Sequence, residues 1–158
     1  MFILARAATY SALFIGLLLV YLPARLLYPA GIVRPPEMGV WQVAGMLLGL
    51  AGAALALACI LTFVVIGSGT PAPFDPPRRL VMRGPYGLVR NPMYVGAGFA
   101  IAGAAMFYGS WPLLGYVGVY FVIAHLFVAG YEEPTLRRIF GTDYVAYCRR
   151  TGRWLPKR

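Results

Sequence analysis

Long stretches without charged residues alternate with short polar segments along this chain. Three stretches, 7–24, 38–74 and 91–131, contain no Lys, Arg, Asp or Glu. A helix needs about 20 mostly apolar residues to cross the hydrocarbon core of a bilayer. The pattern predicts one spanning helix near residues 7–27 and another near residues 39–66. The third stretch is too long for one helix and fits two.

A predicted turn separates the two helices of the third stretch. The run at 109–112 combines a turn glycine, an N-cap serine and a proline in the first helical turn. The Asn91-Pro92 pair gives a similar cap and proline at the start of the stretch. We therefore expect the third helix at residues 92–108 and the fourth at residues 111–131.

The composition is typical of a membrane protein. The chain is 60% hydrophobic and 12% charged, whereas soluble domains are about 45–50% apolar and about 25% charged. These values exclude an ordinary soluble globule, a disordered tail and a nucleic-acid-binding module, although the net charge is +9. The predicted fold is an all-α integral membrane protein with four transmembrane helices. It forms a single membrane domain of residues 1–158, with two helices in residues 1–66.

Basic residues are distributed unevenly between the two ends of the predicted helices. With four spans, both termini and the loop at 67–91 lie on one side, which receives twelve of the 14 Lys and Arg residues. Only Arg25 and Arg34 fall on the other side. By the positive-inside rule, both termini are cytoplasmic, as expected for a protein of a bacterial inner membrane. The same arginines also suit contact with anionic lipid headgroups.

Polar residues gather in two segments that this topology brings to the same membrane face. The first segment runs from Gly67 to Tyr94. The second runs from Tyr131 to the C-terminus, with Glu132 and Glu133 at the end of the fourth predicted helix. Acids at a bilayer edge are functional or paired. Arg137 is a candidate ion-pair partner for Glu133, because it follows by four residues, which is the spacing of neighbours on a helix surface.

The C-terminal segment predicts short amphipathic helices. Pro134 starts the first of them, Gly141 interrupts it, and Tyr144 and Tyr147 are i,i+3 neighbours in the second. Gly152 is expected to end this helix. Trp154 is typical of an aromatic anchor at the level of the lipid headgroups.

The single histidine and the two cysteines give no metal-binding pattern. Cys59 lies within a predicted span and Cys148 in the tail, so we expect neither a disulfide nor a zinc site. His125 precedes Glu132 by seven residues and shares its helix face. It is either a buried, hydrogen-bonded packing residue or a contact for a ligand.

Two blocks of the sequence, from Gly84-Pro85-Tyr86 to Gly96 and from Glu132-Glu133-Pro134 to Pro156, resemble the integral-membrane methyltransferases that include isoprenylcysteine carboxyl methyltransferase and phospholipid N-methyltransferase. Together the blocks cover roughly residues 67–158. The first block is Gly84-Pro85-Tyr86 followed by Arg90-Asn91-Pro92-Met93-Tyr94-Val95-Gly96. The second is Glu132-Glu133-Pro134-Thr135-Leu136, then Phe140-Gly141, Tyr144, Tyr147, Arg153 and Pro156.

The resemblance implies S-adenosylmethionine as the cofactor, no metal, and a lipophilic or lipidated acceptor from the membrane. It makes residues 67–158 the cofactor-binding half, with the cofactor at the cytoplasmic membrane face. The implied cofactor-binding residues are Gly67, Gly69, Gly84, Tyr86, Arg90, Asn91, Pro92, Tyr94, Glu132 and Glu133. Arg90, Glu132 and Glu133 are also the candidate catalytic residues. The candidate substrate contacts are His125, Tyr144, Tyr147 and Arg153.

The resemblance leaves two acceptor classes open, an isoprenylcysteine carboxylate and a phospholipid amine. The carboxyl methyltransferases have Arg-His-Pro where this chain has Arg90-Asn91-Pro92, and they place an arginine before the paired acids, where residues 126–131 contain none. Two other functions remain as alternatives. One is an NADPH-dependent enzyme resembling sterol reductases, and the other is a non-enzymatic membrane scaffold or lipid-binding protein.

Overall fold

Helices make up most of the backbone that the structure describes. The computed structural model describes residues 9, 12–13, 15–28, 37–67 and 79–157. Its helices are α1 (Ile15–Leu27), α2 (Val40–Gly67), α3 (Pro92–Tyr108), α4 (Trp111–Phe127) and α5 (Glu133–Arg150). A 3₁₀ turn at Gly84–Gly87 precedes α3, and a π-helical segment, Val128–Glu132, joins α4 to α5. No β-strand occurs in these ranges, so the prediction of an all-helical chain is confirmed.

The turn between α3 and α4 forms as the sequence predicts. α3 ends at Tyr108, and Gly109 follows in the left-handed conformation with φ 59°, which glycine adopts without a Cβ clash. The Ser110 side chain then accepts a hydrogen bond of 3.4 Å from the backbone N–H of Leu113. This bond satisfies one of the free N–H groups at the start of α4.

One prediction about helix ends is wrong, and two are confirmed. Asn91 precedes α3, but its side chain does not cap the helix, because Nδ2 donates instead to the backbone oxygen of Arg153. Pro134 lies in the first turn of α5, so this helix starts where the sequence predicts, although helical backbone continues from Trp111 to Arg150. The predicted interruption at Gly141 is also confirmed, with φ 51° and ψ −123°. The predicted start of the first helix lies outside the described residues.

Small residues bring α2 and α3 into close antiparallel contact. Gly45 of α2 lies against the backbone of Gly103 and Phe107, and Gly52 lies against the backbone of Gly96. A Cβ atom on Gly52 would sit 2.5 Å from the Gly96 oxygen. Close backbone approach at small residues is the usual packing of membrane helices. The C-terminal end of α2 therefore lies beside the N-terminal end of α3.

α4 packs against α3, and α1 packs against α4. The Tyr116 hydroxyl donates a hydrogen bond of 3.1 Å to the backbone oxygen of Leu18, which ties α4 to α1. Because α2, α3 and α4 alternate in direction, the ends at Gly67, Pro92 and Glu132 fall at the same end of the bundle. The polar segments gather at that end.

Within the described residues, two helices are long and apolar enough to cross a membrane. They are Val40–Gly67 and the helix that begins at Trp111. Large apolar side chains point outward along α2, where Trp41, Leu50 and Val65 are 72%, 62% and 77% exposed. α1 and α3 are apolar but shorter. The 17 residues of α3 span about 26 Å, somewhat less than the hydrocarbon core. The four spans and the orientation of the termini stay predictions.

Candidate functional site

The two polar segments meet at the end of the bundle where α3 begins and α4 ends. The Tyr94 hydroxyl donates a hydrogen bond of 2.7 Å to Oε1 of Glu132. The Tyr120 hydroxyl donates 3.3 Å to the backbone oxygen of Tyr94. Among the residues that the structure describes, Tyr94 is the only hydrogen-bond donor to the Glu132 carboxylate. Glu132 therefore keeps unused acceptor capacity.

The neighbouring acid, Glu133, has a different environment. Arg153 donates to it twice, from Nε to Oε1 at 2.7 Å and from Nη2 to Oε2 at 2.9 Å. Nη2 of Arg90 lies 3.2 Å from Oε1. The Glu133 side chain is only 7% exposed. The i,i+4 partner expected from the sequence, Arg137, makes no ion pair with it among the described residues. Glu133 is thus the centre of a buried ion cluster with two arginines.

Arg90 ties the loop before α3 to the C-terminal tail. The backbone N–H of Arg90 donates a hydrogen bond of 2.8 Å to the Gly152 backbone oxygen. The side-chain Nη1 donates a hydrogen bond to the sulfur of Cys148. Val89 and Gly152 form a parallel β-bridge beside this contact. Within the described part of the chain, the Nε–H of Arg90 is buried and has no acceptor. The cluster therefore contains a buried donor that a ligand oxygen would satisfy.

The two carboxyl groups have pKa values shifted in opposite directions. Burial raises the pKa of the Glu132 carboxyl, the Tyr94 hydrogen bond opposes that shift, and the charge of Glu133 adds to it. Burial also acts to raise the pKa of Glu133, but the Arg153 hydrogen bond and the charges of Arg90, Arg153 and Arg137 outweigh it. The net pKa of Glu133 is lowered. Glu133 is thus held as the charged partner of the arginines, whereas Glu132 exchanges a proton nearer neutral pH.

The two acids lie at the end of a π-helical segment: Glu132 is its last residue and Glu133 follows it. Val128–Glu132 interrupts the regular α-helical hydrogen bonding immediately before Glu133. Two further π-helical segments occur in the described chain, at Ile15–Tyr21 and Phe63–Gly67, so π-helical geometry alone does not mark this segment as a site. The expectation that His125 is buried is wrong, because it is exposed.

Three tyrosines suggested by the sequence lie in packed surroundings. Tyr86 is buried with Cys59 and Val81 against the end of α2, and its ring contacts Phe63 at a centroid distance of 5.0 Å. The Tyr147 hydroxyl donates 2.6 Å to the backbone oxygen of Tyr86. Tyr144 and Tyr147 are neighbours with ring centroids 6.1 Å apart. The Tyr147 hydrogen bond thus ties α5 to the turn that precedes Arg90.

The glycines and the proline of the first block shape the backbone. Gly84 opens the 3₁₀ turn with φ 61°, and Pro92 is buried at the first position of α3. Gly67 is buried at the end of α2. Gly69 lies outside the described residues. The structure thus gathers Arg90, Asn91, Tyr94 and both acids at one end of the bundle.

Sequence patterns gave no signal for two residues beside Tyr94. Tyr120 belongs to α4, and its partner is 26 residues earlier in the chain. Trp154, predicted to be a headgroup anchor, packs edge-on against Tyr94 with ring centroids 6.3 Å apart. Its Nε1 donates 3.1 Å to Nδ1 of His125. Both contacts depend on how the helices pack, which no local pattern encodes.

Comparison with known proteins assigns the chain to a family. No curated protein and no solved structure matches the chain. Among the described residues, no group of three or more His, Cys, Asp or Glu side chains is arranged to hold a metal ion. The model of the phospholipid methyltransferase family matches residues 40–143, which include α2 to α4, Arg90, Tyr94 and both acids. The chain therefore belongs to the phospholipid methyltransferase family.

Proposed function

We propose that the chain is a membrane-embedded methyltransferase that uses S-adenosylmethionine to methylate a lipophilic acceptor at the cytoplasmic membrane face. One observation carries the proposal. The Tyr94–Glu132 hydrogen bond joins the two polar segments at the end of an apolar bundle. It leaves a largely buried carboxylate with a single donor among the described residues. Family membership favours this function over an NADPH-dependent reductase or a scaffold.

The residues at this end of the bundle fit the chemistry of the proposed cofactor. S-adenosylmethionine supplies a methyl group on a positively charged sulfur, and it also carries an ammonium, a carboxylate and ribose hydroxyls. The free acceptor capacity of Glu132 suits an ammonium or a hydroxyl. The buried Nε–H of Arg90 has no acceptor among the described residues, and it suits a ligand oxygen.

In this proposal the paired acids have separate roles. Glu133 pairs with Arg90 and Arg153 and fixes the loop against the tail, as its two salt bridges indicate. Glu132 contacts the ligand and is oriented by Tyr94. Methyl transfer is an in-line displacement, so the protein contributes mainly by holding the reacting atoms about 3–3.5 Å apart.

The acceptor is proposed to enter sideways from the bilayer, as the outward apolar side chains of the helices permit. Its class is an isoprenylcysteine-like carboxylate or a phospholipid-like amine. An amine must lose a proton as it is methylated. The raised pKa of Glu132 makes this carboxyl the candidate base for that acceptor. A carboxylate acceptor needs no base.

The first test is calorimetric titration of detergent-purified protein with S-adenosylmethionine, with NADPH as the parallel titrant. Both titrations are repeated with added membrane lipid, so that an acceptor that must bind first is present. We expect saturable binding of S-adenosylmethionine alone. Glu132→Gln should lose this binding, whereas Glu37→Gln, an exposed acid outside the bundle end, should retain it. Binding of NADPH, or of neither compound by folded protein with lipid present, would overturn the proposal.

The acceptor class needs a separate assay of methyl transfer. Labelled cofactor is incubated with the protein and either phosphatidylethanolamine or a farnesylated cysteine. Label in the lipid amine identifies a phospholipid-like acceptor. Base-labile label in the cysteine ester identifies an isoprenylcysteine-like acceptor.

A further inference from the structure

The C-terminal tail folds back onto the site. Residues 151–157, which we call the strap, follow α5 and lie beside the start of α3. Asn91 donates 3.2 Å to the backbone oxygen of Arg153. Lys157 Nζ donates 3.0 Å to the backbone oxygen of Cys148. The strap is therefore fixed near both of its ends. It also lies outside residues 40–143, which the family match covers.

Trp154 is the part of the strap that reaches α4. Its ring is edge-on to Phe121, with centroids 6.2 Å apart at 88°, and edge-on to Tyr94 at 6.3 Å and 78°. Aromatic rings prefer this edge-to-face arrangement at such distances. The indole N–H donates 3.1 Å to His125. Contacts from α3 and α4 thus hold the indole in one orientation.

The position of the Tyr94 hydroxyl depends on these contacts. Tyr94 lies in the first turn of α3, and its hydroxyl makes the hydrogen bond to Glu132. Trp154 supports the ring of Tyr94 from the strap side. Without the indole, the tyrosine ring gains freedom to leave the rotamer that reaches Glu132. Ordering a side chain in advance lowers the cost of binding a ligand to it.

We propose that Trp154 is a positioning residue that holds Tyr94, and through it Glu132, in the ligand-binding geometry. The inference rests on the proposed function, because Glu132 is taken to contact the cofactor. It differs from the headgroup-anchor role that the sequence predicts. An anchor contributes to membrane insertion and stability, whereas a positioning residue changes ligand affinity in a folded protein.

The test compares Trp154→Ala and Trp154→Phe with a matched control. Trp111→Ala removes an indole that is 81% exposed at the opposite end of α4. We expect Trp154→Ala to weaken S-adenosylmethionine binding at least about tenfold, because small misplacements of binding groups cost up to about 10²-fold. Trp154→Phe, which keeps an aromatic ring, should recover most of the affinity. Trp111→Ala should leave it unchanged.

A double-mutant cycle separates positioning from general loosening. If Trp154 acts through Tyr94, removing the Tyr94 hydroxyl first should make the second change nearly silent. Trp154→Ala should then cost little in a Tyr94→Phe background. Additive losses, or wild-type affinity in folded Trp154→Ala, would overturn the inference.

A second readout requires no cofactor. Nuclear magnetic resonance of ring-labelled tyrosine, with the Tyr94 signal assigned by Tyr94→Phe, should show a shifted or broadened signal in Trp154→Ala and not in Trp111→Ala. An unchanged Tyr94 signal would overturn the positioning role. If wild-type protein does not bind S-adenosylmethionine, the proposed function fails, while this signal still decides whether Trp154 positions Tyr94.

Discussion

Arg153 donates two parallel hydrogen bonds to the Glu133 carboxylate, of 2.7 Å from Nε and 2.9 Å from Nη2. The guanidinium fork matches the two carboxylate oxygens, which is the strongest geometry for this pair. Arg90 approaches the same carboxylate from the loop before α3. One acid thus connects α5, the strap and that loop.

Removal of this acid should destabilise the fold. Glu133→Gln leaves Arg90, whose side chain is 11% exposed, without a counter-charge. Breaking a buried ion pair costs about 3–5 kcal/mol of unfolding free energy. Thermal unfolding in detergent should show a clear drop for Glu133→Gln and none for Glu37→Gln. Equal melting temperatures for the two variants would contradict the structural role of the cluster.

The same cluster predicts acid sensitivity. Because the pKa of Glu133 is lower in the folded state, its ionised form stabilises the fold above the unfolded pKa of about 4.3. That stability should be lost as the pH falls below about 5 and passes through the folded pKa. Denaturant titrations between pH 7 and pH 3 should show this loss in wild type and a flatter profile in Glu133→Gln.

Glu132 contributes to the pH profile with the opposite sign. Its pKa is raised by burial, so folding favours its protonated form, and its ionisation costs stability as the pH rises. Glu132→Gln should therefore show a steeper loss of stability on acidification than wild type. A shallower loss would contradict the assigned direction of this pKa shift.

Changes at Glu132 and Tyr94 should reduce methyl transfer more than they reduce the stability of the fold. With an amine acceptor, Glu132→Gln is expected to lower methyl transfer about 100-fold, within the usual range for a proton-transfer group. Tyr94→Phe should reduce it less, since only the orienting hydrogen bond is lost. Tyr108→Phe, at the other end of α3, is the matched control. Retained activity in Glu132→Gln would exclude this carboxyl from the reaction.

The packing of α2 on α3 predicts a position-specific effect of adding one methyl group. A Cβ atom on Gly52 would lie 2.5 Å from the Gly96 oxygen and 2.6 Å from the Ala100 nitrogen, both backbone atoms. Gly52→Ala should cost about 1–3 kcal/mol, as overpacking does. Gly118→Ala has open space around it and should be neutral or slightly stabilising. Similar melting temperatures for both variants would contradict the close approach.

The sequence predicted the helices well where the signals are local. Residues 92–108 and the Ser110 cap follow from a short pattern of proline, glycine and serine, because helix ends are set by neighbouring backbone groups. The sequence could not show that the Asn91 side chain fails to cap α3. Its amide donates to the Arg153 backbone oxygen, which is 62 residues away in the chain. The start of α5 near Pro134 was predictable from a local signal, because proline is favoured in the first turn of a helix.

Residue types alone determined that this chain is apolar and helical, and that its chemistry-bearing groups fall in two polar segments. Hydropathy and residue order are properties of the chain itself, so they can be read without coordinates. Only the tertiary structure separated Glu132 from Glu133, because their difference depends on which residues reach them. Tyr94 comes from α3, Arg90 from the loop before it and Arg153 from the strap. Adjacent identical residues acquire different pKa values and partners only when distant parts of the chain pack around them.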